Sequence, residues 1–445
     1  MAPVKPKKLR ILERLLRFLA VLILKKYNPR IIGITGSVGK TSAKDAVYTV
    51  LAARFRVRKN EKNYNNEIGL PLTIIGVEGG ESSLWKWAGV FAKAAGVIIF
   101  PVEYPEVLVL EMGADRPGDI KYLTSFIKCE LAIITDISGS HLEFFGSIDK
   151  VAEEKWTLVE SLGENGTAIV NIDNARIAKL RSLKKHEKIN FLTFGFSDMA
   201  DIRADDIFYN YTGEGNGEEK EIKGIGFKLS WKGTNLPVRL NGVLARHGVY
   251  AALSGVGVGL AFKFNLVEIA GALENFSMSP GRLNLIPGVR GSMLIDDTYN
   301  SSPVSAEAAL EVLKNIKAER RIAVLGDMLE LGTDTEAGHR AVARKFLEIK
   351  KGNIFFAVGP RMKFAAEELQ KYNISPEQLF VFDDPMSAGK KLKEIIQKGD
   401  LVLVKGSQGM RMEKVVEEVM EQPEKAVAYL CRQNKTWREK PWRAV

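Results

Sequence analysis

Two series of apolar, β-rich runs constrain most what this 445-residue chain can fold into. Each run closes on Gly, Asp, Asn or Ser, and helical patterns separate one run from the next. The first series is RIIGIT, EVLVLEMG, ELAIITDIS, TAIVNID and NFLTFGF, and the second is SMLIDD, RIAVLGD, IFFAVG, LFVFDD and DLVLVKGS. Strands that lack polar alternation are buried on both faces, which means parallel sheets covered by helices. Two such series predict an α/β protein with two doubly wound domains, each mainly parallel. Ligands of doubly wound folds bind beyond the carboxyl ends of the strands, so the polar residues closing each run are the candidates for chemistry.

The predicted boundaries follow from the breaks in this alternation. Residues 1–29 read as a basic amphipathic helix, 30–278 as a central domain and 279–445 as a C-terminal, Rossmann-like domain. Residues 201–242 alternate apolar and polar around TGEGNGEEK, the pattern of an antiparallel hairpin excursion. The Pro and Gly of SMSPGRLNLIPG supply the junction near Ser279. At 46% hydrophobic and 27% charged residues the composition is that of a globular protein with large cores. Net charge is +10, which fits anionic ligands, nucleic acid or an acidic membrane and selects none of them. Cys129 and Cys431 stand far apart and outside any C-x-x-C, which suggests a reducing compartment and no zinc site.

The N-terminal segment KPKKLRILERLLRFLAVLILKKYNP has no uncharged run long enough to span a bilayer. Two readings stay open: a helix packed on the body, or one lying on a membrane surface. LWKWAGVFAKAAGVIIF, residues 84–100, has similar character, and the two segments are expected to pack together.

PRIIGITGSVGKTSAKDAV, residues 29–47, has the strand–turn–helix context of a phosphate-binding loop. The nucleotide-binding set is Gly36, Ser37, Val38, Gly39, Lys40, Thr41 and Ser42. In such a loop Lys40 would reach the outer phosphates and Thr41 would hold Mg²⁺; a chance glycine turn is the alternative. Against the motif G-x-x-x-x-G-K-[ST], however, Ile34 stands where the first glycine belongs. Glu111 closes a strand near this loop, where a carboxylate can coordinate Mg²⁺; the alternative is a solvated strand end. His141 follows another strand end, as a ligand or as an ordinary loop residue. The helix from Ile148 puts Val151, Ala152, Val159 and Leu162 on one apolar face, and Lys155 falls on that face. An inward lysine needs a partner or a task, unless its stem lies along apolar surface and its ammonium reaches water. Asn65 in NYNNEIGLPLT, Arg282 in SPGRLNLIPG, Asp297 and Asn300 in IDDTYNSSPVSAEAAL, Asp327 in VLGDMLELG and Lys405 in VLVKGSQGMRME stand at strand or helix junctions. Each singly reads as cap or turn chemistry; their accumulation argues for a site between the domains.

Taken together, these stretches resemble the Mur ligases, the ATP-dependent amide-forming enzymes of peptidoglycan synthesis. GITGSVGKTS is similar to that family's own phosphate loop, with glycines in a G-x-x-G-x-x-G-K-T spacing. LEMGADRPGDI, HLEFFGSIDKVAEEK, PGRLNLIPG, DDTYNSSPVSAEAAL, VLGDMLELG and KGSQGMRME resemble the type that adds D-alanyl-D-alanine, over about Arg30 to Glu418. The resemblance implies catalytic roles for Lys40, Lys155 and His141, and metal ligation by Thr41, Glu111 and His141. It implies that Lys155 takes up CO₂ to become a carbamate, and that Arg282 and Asp297 contact the nucleotide. Asn65, Asn300, Asp327 and Lys405 would border the substrates. Cofactors would be ATP and Mg²⁺, and partners a UDP-linked muramoyl peptide and D-Ala-D-Ala, with no nucleic acid. A monomer is expected, cytoplasmic or peripheral at the membrane's inner face.

Three features depart from the family's pattern. Only about 30 residues precede the loop, so the usual domain that grips the UDP-sugar is expected to be missing, its task falling to residues 1–30 and 84–104. RHGVYAAL keeps His247 but has Gly248 and Ala251 where the family has asparagines. KGSQG has Gln408 where an Arg is usual. A Mur-family ligase acting on another wall precursor stays as an alternative, as does a non-catalytic nucleotide-binding scaffold.

Overall fold

The structure, a computed structural model, describes residues 6–61, 64–80, 83–139, 142–183, 188–212, 221–349 and 353–439, apart from the side chains of residues 142, 143 and 436. The chain divides into two compact units. One comprises Met1–Ile207, Phe227–Arg239 and Arg246–Phe276, and the other Phe208–Gly226, Leu240–Ala245 and Ser277–Val445.

In the first unit, helix α1 (Lys7–Tyr27) precedes β1 (Arg30–Thr35) and α2 (Lys40–Ala52). Then come β2 (Val57–Lys59), α3 (Gly69–Ile75), α4 (Leu84–Ile99), β3 (Val107–Glu111), α5 (Asp119–Thr124), β4 (Leu131–Ile134) and the short α6 (Leu142–Phe145). Helix α7 (Ile148–Glu160), β5 (Thr167–Asn171), α8 (Ala175–Arg181) and β6 (Asn190–Gly195) complete the alternation. Strands β7 (Ile202–Tyr211), β8 (Ile222–Trp231) and β9 (Thr234–Asn241), whose residues are divided between the two units, precede α9 (Arg246–Ala261) and α10 (Leu266–Leu273) of the first. The nine strands order as β2-β3-β1-β4-β5-β6-β7-β8-β9. β1 pairs in parallel with β3 and β4, and the parallel run continues to β7. Every residue of β3 and β4 is buried, as strands covered on both faces require.

One stretch holds more structure than its pattern shows. Alternation gives a single hairpin, whereas three strands form there. The turn TGEGNGEEK lies largely outside the described residues, and Thr212 N–H donates to the Glu221 carbonyl across it at 2.8 Å. The second turn is Lys232–Gly233, with φ of 46° and 81°, as a two-residue type I′ hairpin demands.

Helix α1 packs one face inward: Leu16, Ala20 and Ile23 are fully buried in the cluster that holds α3 and α4 side chains. Burying a leucine or isoleucine stabilises by about 1.5–3 kcal/mol, so Leu16 and Ile23 both favour docking of the helix. The expected pairing with α4 is present. Lys26 Nζ donates to the carbonyls of Val97, Ile98 and Phe100 at 3.0, 3.0 and 2.6 Å, a cation capping a helix C-terminus. Among the described residues no helix is long and apolar enough to cross a membrane.

The second unit has a six-stranded sheet in the order β10-β11-β15-β12-β13-β14. Its elements are β10 (Asn284–Gly288), β11 (Ser292–Asp297), α11 (Pro303–Asn315), β12 (Arg320–Gly326), α12 (Thr335–Leu347) and β13 (Ile354–Val358). Then follow α13 (Lys363–Gln370), β14 (Leu379–Phe382), α14 (Pro385–Ile395), β15 (Asp400–Lys405) and α15 (Glu413–Val419). Only β10 runs antiparallel to its neighbour. Apolar clusters lie on the two faces, one around Leu310, Phe346 and Phe355, the other around Phe356, Val404 and Val416.

Candidate active site

The loop after β1 is built against the ends of β3 and β4. Gly36 has no room for a side chain: a Cβ there would lie 2.0 Å from Thr135 Oγ1. Thr135 uses that hydroxyl to donate to the Val38 carbonyl at 2.6 Å. Ser37 N–H donates to the Asp136 carbonyl at 2.7 Å, and Ser37 Oγ to that of Ser138 at 3.1 Å. Gly39, at φ 84°, precedes α2, whose N-terminus has no side-chain cap and no acidic residue in its first turn. Uncapped N–H groups and the positive end of the helix make an anion cradle. Lys40 folds over it, with Nζ 2.7 Å from the Gly36 carbonyl and 3.4 Å from that of Ser37. Ile34 needs no glycine, since it is the fifth residue of β1, paired with Glu111 and fully buried.

That register sets Glu111 beside the loop. Its carboxylate is almost wholly buried and accepts from Thr41 Oγ1 at 3.0 Å and from Asn65 Nδ2 at 3.2 Å. Lys44 Nζ lies 3.6 Å from it. Buried Asn60 clamps the strand end: its Oδ1 accepts from Glu111 N–H at 2.8 Å, its Nδ2 faces the Glu111 carbonyl at 3.4 Å, and its own carbonyl takes Lys44 Nζ at 2.8 Å. A hydroxyl and a carboxylate held together are hard oxygen donors of the kind Mg²⁺ takes, so these residues fit that ion. His141 lies outside the described residues, and no three His, Cys, Asp or Glu side chains converge among the rest.

Lys155 is 2% exposed on α7. Burial, then the positive charge of Lys40, push its ammonium down to about 8, against the opposing pull of Glu154 and Asp115. An inward lysine near the loop, readily neutral, is chemically a nucleophile for CO₂.

Next to the loop opens a cavity of about 440 Å³ that motif reading did not foresee. Val38 and Gly39 form one side; the ends of β4 to β6 and the start of α9 supply Thr135, Asp136, Asn171, Asp173, Asn174, Phe194, His247 and Tyr250. Asn174 donates to Asp136 Oδ1 at 2.8 Å while its oxygen caps α8. Asp173 accepts from Tyr250 OH at 2.8 Å and from the N–H groups of Phe196 and Ser197 at 2.7 and 2.9 Å. Burial, and then the bond to Asp173, raise the Tyr250 phenol. Gly248 and Ala251, the residues in place of asparagines, are buried and bring α9 close, with Ala251 on the cavity wall. The available signal was the polar residues closing ITD and VNID, at the strand ends where ligands of such sheets bind.

In the second unit β11 and β15 pair Asp297 with Lys405. Lys405 Nζ donates to Asp297 Oδ2 at 2.6 Å and to the Asn300 carbonyl at 2.8 Å, so three of the expected residues meet. The Arg282 guanidinium lies 4.3 Å from the Tyr299 ring centroid. Asp327 is fully buried; its Oδ1 accepts from the N–H groups of Arg361 and Met362 at 3.0 and 2.8 Å, and burial raises its carboxyl. Gln408 is exposed.

The chain matches the Mur ligase middle domain over residues 98–258 and the Mur ligase glutamate ligase domain over residues 281–408. It is 30% identical over 409 residues to the UDP-N-acetylmuramoyl-tripeptide–D-alanyl-D-alanine ligase of Bacillus subtilis, covering 92% of this chain and 79% of that one. Among solved structures, the MurF ligase of Thermotoga maritima in complex with ADP is 25% identical with a TM-score of 0.69, covering 93% of this chain and 84% of that one. MurF from Acinetobacter baumannii is 25% identical with a TM-score of 0.73, covering 92% and 80%. The chain belongs to the Mur ligase family, and to its MurF type.

Proposed function

We propose that this ATP-dependent ligase joins D-alanyl-D-alanine to a UDP-muramoyl-tripeptide in peptidoglycan precursor synthesis. The observation that carries the reading is the loop cluster. Lys40 over an uncapped helix start, Thr41 against Glu111 and an inward Lys155 stand in a chain 30% identical along 92% of its length to a ligase of that name.

In the proposed reaction the terminal carboxylate oxygen of the tripeptide attacks the γ-phosphorus of ATP. The bond to the bridging oxygen breaks, giving an acyl phosphate and ADP. The amine of D-Ala-D-Ala then attacks the acyl carbon, inorganic phosphate leaves, the ammonium proton is lost, and an amide remains. The N–H groups at the uncapped start of α2 and the Lys40 ammonium would face charge that grows on the transferring phosphoryl. Thr41, Glu111 and His141 would hold Mg²⁺, which when bound polarises the phosphoryl oxygens. Carbamylated Lys155 would supply an anion beside them, turning a disfavoured buried cation into a metal-facing carboxylate. The cavity lined by Asn171, Asp173, Asn174 and Tyr250 suits the nucleoside end of ATP, next to the phosphate cradle. We assign Arg282 and Asp297 to the nucleotide, and Asn65, Asn300, Asp327 and Lys405 to substrate-bordering motifs. Residues 1–29, 30–278 and 279–445 are the proposed domains.

The test is phosphate release from ATP with the tripeptide and D-Ala-D-Ala, singly and together. Release with both and not with either alone is the expected result. Equal release with other acceptors, or none with any, would overturn the substrate assignment.

A further inference from the structure

The phosphate loop and the cavity beside it take no residue from the outward faces of α1 and α4. Opposite its buried stripe, α1 exposes Ile11, Leu15 and Phe18, at 59%, 48% and 60%. Their spacing of four and three puts them on one helical line. Lys7, Arg14 and Lys25 fall beside that line, and all are exposed. Helix α4 repeats the arrangement with Trp85, Gly89, Ala92 and Ile99 along its exposed side; Trp85 is 89% exposed. Leu84 and Phe100 stand exposed at its two ends. The Lys26 bonds to the carbonyls of Val97, Ile98 and Phe100, with Tyr27 OH donating to Val97 at 2.9 Å, hold the two helices together at their C-terminal ends. Charge on the pair is one-sided: α1 has seven Lys or Arg and one Glu, and α4 has two Lys and no acidic residue.

We propose that the paired faces of α1 and α4 dock this ligase on an anionic phospholipid surface, lying in the headgroup layer rather than crossing it. Apolar and aromatic side chains rimmed by Lys and Arg on a helix of strong polarity are the chemistry of interfacial binding. Anionic headgroups supply the complementary charge, and each basic residue near them adds attraction that falls away within a Debye length. A second copy of the chain fits worse, because self-association through this face sets like charges together.

The test is flotation of the full chain with vesicles of phosphatidylcholine alone, or mixed with an equal part of phosphatidylglycerol. Binding to the mixed vesicles, at least tenfold weaker to phosphatidylcholine and weakened by added salt, is expected. The double variant Phe18→Glu, Trp85→Glu should lose binding at least tenfold. Val381→Glu, at an exposed residue of β14, should bind as wild type does. Both α1 and α4 substitutions are at well-exposed positions, so an unchanged melting curve accompanies the loss; Ile11→Glu gives a second, independent variant. No binding to mixed vesicles, equal binding to neutral ones, or undiminished binding by the variants would each overturn the proposal. So would sedimentation showing a dimer, without vesicles, that the same substitutions dissociate.

Discussion

At the scale of single residues, the site is governed by ionisable groups taken out of water. Lys155 and Asp296 show this with opposite signs. Lys155 is pushed down to about 8, which leaves a free amine available near neutral pH. Lys155→Ala is expected to lower turnover by at least about 100-fold, the upper range for losing a group that supports a metal, and excess bicarbonate should not restore it. With ¹³C-bicarbonate the wild type should show a carbamate resonance that the variant lacks; near-normal turnover or an unchanged resonance would remove the carbamate role. Asp296, fully buried on β11, is pushed up to about 7. Burial outweighs the Thr298 hydroxyl, Thr298 N–H and Gly281 N–H that favour its anion. Between about pH 4 and 7 the folded state therefore holds a proton the unfolded state has released, and stability falls as pH rises through that window. Asp296→Asn should flatten the slope of urea midpoints between about pH 5 and pH 8, and an unchanged slope would contradict the assignment. Helical periodicity was enough to turn Lys155 inward. Asp296 was hidden beside Asp297 because strand neighbours face opposite ways.

At the scale of elements, the phosphate cradle depends on how β1, β3 and β4 end. Two other helix starts take side-chain acceptors: α5 takes the Glu154 carboxylate on the N–H groups of Gly118 and Ile120 at 2.8 Å each, and α11 is capped by Ser302. Helix α2 starts with its N–H groups uncapped by side chains. Gly36→Ala drives a methyl into Thr135 and the Asp136 backbone. Displacing the loop removes charge-assisted bonds worth about 1.5–3 kcal/mol, so ATP affinity should fall at least about tenfold by calorimetry; unchanged affinity would refute the cradle. Asn60→Ala strips two contacts from the Glu111 backbone. It should destabilise by about 1–3 kcal/mol in urea unfolding, and equal midpoints would contradict the clamp. Strand ends and the loop were legible because apolar runs stop where the chain turns. Asn60, which follows β2 and clamps the end of β3, and the 440 Å³ cavity, which β4, β5, β6 and α9 assemble, were not, because no local pattern relates those elements. Strand β9 was missed for the same kind of reason, its turn needing two residues at positive φ without the usual Asn-Gly.

At the scale of the whole molecule, a chain of net charge +10 is set against substrates that are all anionic or zwitterionic. Family likeness runs along 92% of the chain, and the α/β alternation seen in the sequence recurs in both sheets. The central claim is that a peptide carboxylate is activated by phosphoryl transfer and then captured by an amine. It is tested most directly by labelling the terminal carboxylate of the UDP-muramoyl-tripeptide with ¹⁸O and weighing the phosphate released during ligation to D-Ala-D-Ala. The account predicts that each released phosphate carries one oxygen from the labelled carboxylate. Phosphate free of label, with amide still formed, would contradict it.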